Sequence, residues 1–276
     1  MNLFHASTCR AAAVTCVVLL LSAAGRAETI KVISWNVESG GADPVEIAKR
    51  VRRLQAAYKP DVWGFSEVQN DAWAEKFEKA AEQASSADFK RIVGTTGRND
   101  LLAIVYNAER LELLGHQELH RVNLGGYSRA PLVAAFKVKK TGRRFLFMVN
   151  HLYRSKADRR HDQATLLNRW ATQQKLPIIA VGDYNFDWKW DYKDRGLDNM
   201  TAGGVFTWIR PTRIVSTQDS SLGAILDFVF ISGRDTWTWK TTSTIIVERG
   251  DFPDSDETPD HRPLTATIEI PEAATP

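Results

Sequence analysis

The chain has 276 residues, 43% hydrophobic and 25% charged, with a formal net charge of +3. That length and composition exclude a disordered polymer and a minimal disulfide-held scaffold, and leave room for one large α/β domain or two small ones. The charge is too small for the molecule's mean field to select a polyanionic partner, so any such attraction has to come from a local patch.

Arg10 precedes the apolar run AAAVTCVVLLLSAA, too short for a comfortable membrane span, and small residues follow at Gly25 and Ala27. This pattern predicts a secretory signal peptide over residues 1–27, cleaved after Ala27, and a secreted or periplasmic protein. Cleavage removes Arg10 and Arg26 and no acid, which lowers the formal charge from +3 to +1. It also removes Cys9 and Cys16, the only cysteines, so a hydrophobic core must hold the mature chain.

TIKVISWNV (29–37) reads as a buried first strand, with Ile30, Val32 and Ser34 alternating against Lys31, Ile33 and Trp35. Asp43-Pro44-Val45-Glu46 predicts a helix start, with Asp43 as N-cap, Pro44 at the first turn and Glu46 reaching back. DVWGFSEV (61–68) is a second strand, and DAWAEKFEKAAEQA (71–84) a helix with Trp73, Phe77 and Ala80 on one side. Further strands are expected at 89–94, 101–107, 132–138, 144–152, 177–183, 224–231, 236–247 and 263–270, with a third helix over 158–173. Helices between early strands and short turns between later ones predict two mixed sheets with helices outside. One domain over 28–276 is the simplest organisation, since no linker-like segment interrupts it.

Polar residues recur where the apolar strands end: Asn36, Glu67, Asn150 with His151, and Asp183 with Asn185. Asp227 interrupts AILDFVF, and Asp260-His261 precedes the last strand. A buried carboxylate or imidazole costs several kcal/mol unless paired or liganded, so Asp227 should hold a histidine or a cation. Taken singly, Asn36 could satisfy a turn and Glu67 could be half exposed. Together these groups could partner one another.

Seven pieces, ISWNV, GFSEV, RAPLVAAF, VNHL, VGDYN, ILDFVF and PDHRPLTATI, run in order over almost the whole chain after residue 27. In these the sequence resembles the endonuclease/exonuclease/phosphatase superfamily typified by deoxyribonuclease I. The resemblance implies a four-layer α/β sandwich, two mixed sheets face to face with helices on the outer faces, and a metal-dependent phosphoesterase site at one edge. It assigns Glu67, supported by Asn36, and Asp260 to a divalent metal, Mg²⁺ or Mn²⁺, with Ca²⁺ as an assisting ion. His261 with Asp227 becomes the His–Asp pair, Asp183 orients or deprotonates water, Asn185 steadies phosphoryl oxygens, and His151 is a second histidine at the scissile phosphate. Arg129, Asn150 and Arg154 become phosphate contacts.

The superfamily's catalytic parts serve several substrates. DNA or RNA leads, a phospholipid headgroup or small phosphate ester is the alternative, and a non-catalytic binding protein on the same fold is an alternative of another class. No protein partner is implied, and a monomer is expected. In GDYNFDWKWDY, Trp188, Trp190 and Tyr192 share one face if extended, which fits packing, base stacking or lipid contact. TWTW (236–239) poses the same choice. Arg154, Lys156, Arg159 and Arg160 form either a solvated helix start or a phosphate-backbone contact.

Overall fold

The computed structural model describes residues 27–126, 128–189, 194–219, 223–249, 251 and 258–271. In chain order the elements are β1 (Glu28–Asn36), α1 (Pro44–Tyr58), β2 (Val62–Val68), α2 (Asp71–Ser85), β3 (Phe89–Val93), β4 (Leu101–Asn107), β5 (Leu111–Glu118), β6 (Leu132–Val138), β7 (Arg144–His151), α3 (Ala157–Thr172), β8 (Ile178–Asp183), α4 (Gly196–Thr201), β9 (Phe206–Trp208), β10 (Asp227–Ser232), β11 (Lys240–Ile245) and β12 (Leu264–Ile270).

Two six-stranded sheets result, ordered β11-β12-β1-β2-β4-β3 and β5-β6-β7-β8-β10-β9. The alternation in β1 sorts its side chains between two cores. Ile30 and Val32 join the cluster between the sheets, and Ile33 and Trp35 join the one beneath α1 and α2. Ala164 and Leu167 of α3 cover the second sheet on its far side, which completes a four-layer sandwich. The sheets meet closely at Gly64: a Cβ there would lie 2.5 Å from Val181 Cγ2 and 2.9 Å from Val149 Cγ2.

Local chemistry explains the helix starts. Asp43 Oδ1 accepts from Val45 N at 2.8 Å with Pro in the first turn, as expected. Glu46 does not reach back. Its carboxylate pairs with Lys49 at 2.5 Å. Residues 236–247 also correct the expectation of one long strand, because a 3₁₀ turn occupies Thr236–Thr238 and only Lys240–Ile245 pairs. The alternation of TWTW is therefore broken. Trp237 is 83% exposed, whereas Trp239 packs against the core.

Candidate functional site

Direction of travel builds the site. β1 and β2 run parallel, as do β7 and β8, so Asn36, Glu67, His151 and Asp183 are delivered at or near strand C-termini on one edge. β10 and β12 run antiparallel to β8 and β1, so Asp227 at the start of β10 and His261 ahead of β12 arrive at the same edge. A pocket of about 360 Å³ opens there, lined by Glu67, His151, Asp183, Asn185, Asp260 and His261 among others.

Two of these side chains come from strained backbone. Glu67 has φ +58° beside a register shift between Phe65 and Val68, and Asn185 has φ +53°. Both lie in the left-handed region that side chains other than glycine seldom adopt, and such conformations gather where function outweighs their cost. Gly182, with φ +134°, lets β8 approach β7, since a Cβ there would fall 2.0 Å from the Asn150 carbonyl oxygen.

Asp183 is the hub. Its Oδ1 accepts from Asn185 N at 2.8 Å, and its Oδ2 accepts from Asn36 Nδ2 at 3.1 Å. The same Asn36 amide donates to Glu67 Oε1 at 2.9 Å, while Asn36 Oδ1 accepts from Glu38 N at 3.0 Å. That last bond identifies which end is the NH₂. Asn36 is thus a clamp that orients two carboxylates.

His261 Nδ1 lies 2.7 Å from Asp227 Oδ2, a charge-assisted pair buried on both sides. Burial opposes a charged imidazole here, but Asp227's charge and hydrogen bond, with the charges of Asp183 and Asp260, outweigh it and raise His261 to about 10. Burial pushes Asp227 upward as well, against the lowering effect of His261. We read the pair as imidazolium and carboxylate, because His261 Nε2 also faces Asp183 and Asp260, each at 3.8 Å. The loop is fixed by Trp35 Nε1 donating to the His261 carbonyl at 2.9 Å and by Arg262 N donating to Thr217 O at 2.7 Å. This is how the PDHRP stretch is seated; residues 252–257 lie outside the described ones.

His151 is held differently. Arg129 Nη2 donates to its Nε2 at 3.2 Å, and its Nδ1 stands 3.4 Å from Asp100 Oδ1. Arg129 can only donate, so Nε2 is the lone-pair nitrogen and Nδ1 carries the hydrogen, near Asp100 but without a hydrogen bond to it. Asp100 also binds Arg129 directly. Burial pushes the Asp100 carboxyl up, but His151 and Arg129 outweigh this and hold it below the usual range.

Glu67, His151 and Asp183 each offer a ligand atom within 4.8 Å of the others. Two carboxylates and one imidazole nitrogen on a polar pocket wall fit a divalent cation, which would take the Nε2 lone pair in place of the Arg129 hydrogen bond, and a mixed oxygen–nitrogen set suits Mn²⁺ as well as Mg²⁺. Asp260, assigned to the metal from sequence, lines the pocket but lies outside this trio, accepting from Gln218 at 3.2 Å.

Other assigned residues are placed elsewhere. Asn150 does not face the pocket: strand alternation turns it away from His151, and its amide donates to Tyr184 Oη at 3.0 Å within the core. This bond accounts for the tyrosine in GDYN, whose phenol burial pushes to higher pKa. Arg129 lines an adjoining cleft with Gly97, Arg98, Asp100, Gly126 and Ser128. Arg154 does line the pocket. Arg160 is no phosphate contact, because it is buried against Asp194 at 2.7 Å and the Arg154 carbonyl at 3.0 Å.

Trp188 packs, with its ring 6.0 Å from Trp208 and the Arg210 guanidinium 4.5 Å from its centroid. Trp190 and Tyr192 lie outside the described residues. Sequence reasoning missed Asp100, Glu38 and Gln218. Glu38 lines the pocket and accepts from Asp260 N at 2.8 Å.

No curated protein matches the sequence. Among solved structures, an endonuclease/exonuclease/phosphatase family protein from Bacteroides thetaiotaomicron is similar with a TM-score of 0.70 at 16% identity, over 90% of this chain and 100% of that one. Danio rerio TDP2 complexed with single strand DNA product gives 0.67 at 17%, over 87% and 98%. The mannosyl-6-phosphatase of B. thetaiotaomicron gives 0.63 at 16%, over 87% and 99%. At these identities the likeness is one of fold. The sequence profile of the Endonuclease/Exonuclease/phosphatase family, however, matches residues 33–248, and the chain belongs to that family of metal-dependent phosphoester hydrolases.

Proposed function

We propose that the chain is an exported, divalent-metal-dependent phosphodiesterase that hydrolyses DNA or RNA by water attack. The observation that carries this reading is the convergence of the Glu67–His151–Asp183 trio with the Asp227-held His261 on one pocket. A divalent cation held in this pocket would supply charge neutralisation at the phosphoryl oxygens and polarisation of the phosphorus. Glu67, His151 and Asp183 would hold it, with Asn36 keeping the two carboxylates in position.

The protein's own groups divide the remaining work. Asp183 orients the water and accepts its proton as the new P–O bond forms, while the ester P–O bond opposite breaks and its leaving oxygen takes up a proton from solvent. The Asn185 amide donates to a phosphoryl oxygen. His261 presents Nε2–H to the same charge, and an imidazolium with its proton held this firmly serves as an electrostatic clamp rather than a ready proton donor. Arg154 at the pocket wall offers a contact for a flanking phosphate. The likeness to TDP2 bound to a DNA product supports a nucleic-acid substrate. The likeness to a mannosyl-6-phosphatase supports the second reading, a small phosphate ester on the same site.

The test is cleavage of supercoiled plasmid and a single-stranded oligonucleotide in Mg²⁺, with EDTA and a His261→Ala preparation alongside. Nicking that disappears in both controls is the expected result. A preparation that hydrolyses only small esters moves the assignment to the second reading. Export is tested by the mass of the protein recovered outside the cytoplasm, which should begin at Glu28.

A further inference from the structure

The edge opposite the catalytic pocket carries a second concavity, about 470 Å³, lined by Arg143, Arg144, Lys175, Arg234, Asp235 and Trp239 among others. The strands fix its place. β7 has Arg144 at one end and His151 at the other, eight residues or about 23 Å apart at the usual strand rise. β8 and β10 repeat this: Pro177 and Gly233 of the concavity flank the ends opposite Asp183 and Asp227.

Four cations face one carboxylate here, and none of the four takes part in an ion pair among the described residues. They contrast with Arg50, Arg91, Arg110 and Arg160, each paired with acids. Lys139 and Lys140, both exposed, stand in the same β6–β7 turn as Arg143. Trp237, 83% exposed, lies on the 3₁₀ turn between the lining residues Thr236 and Trp239. An exposed indole beside unpaired cations is the composition that meets a lipid headgroup layer.

A third observation shares this edge. Glu28, which opens β1, pairs with Ile270, a residue lining the concavity. The N-terminus left by cleavage after Ala27 therefore lies at this edge. Among the described residues no helix is long and apolar enough to cross a membrane.

We propose that this edge is a docking surface for anionic phospholipid bilayers, with Arg143, Arg144, Lys175 and Arg234 receiving headgroup phosphates and Trp237 entering the interface. The catalytic pocket then faces away from the bilayer, so the membrane tethers the protein and is not its substrate. A nucleic-acid strand suits the surface less well, since a strand held here has to turn around the side of the sandwich to reach His261.

The experiment uses the protein as cells process it, its N-terminus read by mass spectrometry. Partition is measured onto phosphatidylcholine vesicles with and without phosphatidylglycerol. The ratio of the two should fall about fivefold for each cation neutralised, and about a hundredfold in Arg143→Gln/Arg144→Gln/Arg234→Gln. These side chains are unpaired, so the variant should keep its melting temperature and its turnover of a soluble ester. Vesicle-induced blue shift of tryptophan emission should shrink in Trp237→Ala. Equal ratios in wild type and triple variant overturn the proposal. So does a protein that ignores both vesicles yet binds a thymidine oligonucleotide through the same arginines, which would make the concavity a nucleic-acid site.

Discussion

The two histidines of the site flank one oxygen, Asp183 Oδ2, at 3.5 Å for His151 and 3.8 Å for His261, yet they are held in opposite ways. His261 has a carboxylate 2.7 Å behind it and is held charged. His151 has an arginine donating into the nitrogen that faces the site, with its carboxylate farther off at 3.4 Å. The same side chain on the same edge thus becomes a cationic clamp in one place and a lone-pair donor in the other. What differs is where the strong partner sits: a carboxylate on the rear nitrogen of His261, an arginine on the site-facing nitrogen of His151.

That contrast can be broken from several sides. Asp183, shared by both histidines, should matter most: Asp183→Asn is expected to lower kcat by about 10³–10⁴-fold with the circular dichroism spectrum retained. Asp227→Asn removes the counter-ion of the clamp. It should cost about 10²-fold in kcat, and about 3–5 kcal/mol in urea unfolding because His261 is left buried with its partner gone. On the other side, Asp100→Asn loosens His151 without touching His261. It should raise the Mn²⁺ concentration needed for half-maximal activity by about tenfold, with kcat at saturating metal nearly unchanged.

A pH series tests the charge on His261 without mutation. His261 is raised above its unfolded value of 6.5 to about 10, so its contribution to stability is complete below pH 6.5 and is lost as pH climbs toward 10. The urea midpoint of the wild type should therefore fall across that window. In His261→Asn the fall should be smaller. The weakest effect is expected from Asn150→Ala, which faces the core: KM should move by less than about twofold while the melting temperature drops, the reverse of what a phosphate contact gives.

The parts of the site that the sequence revealed were those continuous with apolar runs. Asn36, Glu67, His151 and Asp183 each end a strand whose burial was visible in its residues, and Asp227 stood out because a carboxylate within AILDFVF needs a partner. Asp100 escaped because it lies in a turn just ahead of β4, where an acid is unremarkable until Arg129 and His151 are seen beside it. Glu38 was hidden in the same way, in the turn after β1. Asn150 was misplaced because two adjacent residues in a strand face opposite ways, and the pattern alone did not say which of Asn150 and His151 faced the site.

The fold shows a similar division. β1, β2 and β7 carry unbroken or alternating apolar residues and were readable. β5 was not, because only Leu111 of Leu111–Glu118 is buried along this edge, so no buried stripe forms. β9 spans only Phe206–Trp208, too short for a period to register. The expected strand at 236–247 failed at its start because the alternation of tryptophans coincides with a 3₁₀ turn, where Trp237 has no neighbour sheet to pack on.

Metal-dependent chemistry at this pocket is tested by phosphodiester hydrolysis in wild type and Glu67→Gln, measured by titrating Mg²⁺ and Mn²⁺ into protein stripped with EDTA. No turnover is expected in the stripped protein, with saturable recovery on adding metal and a half-saturating concentration at least about tenfold higher in the variant. Undiminished hydrolysis in EDTA, or a variant with the wild-type metal curve, would contradict that chemistry.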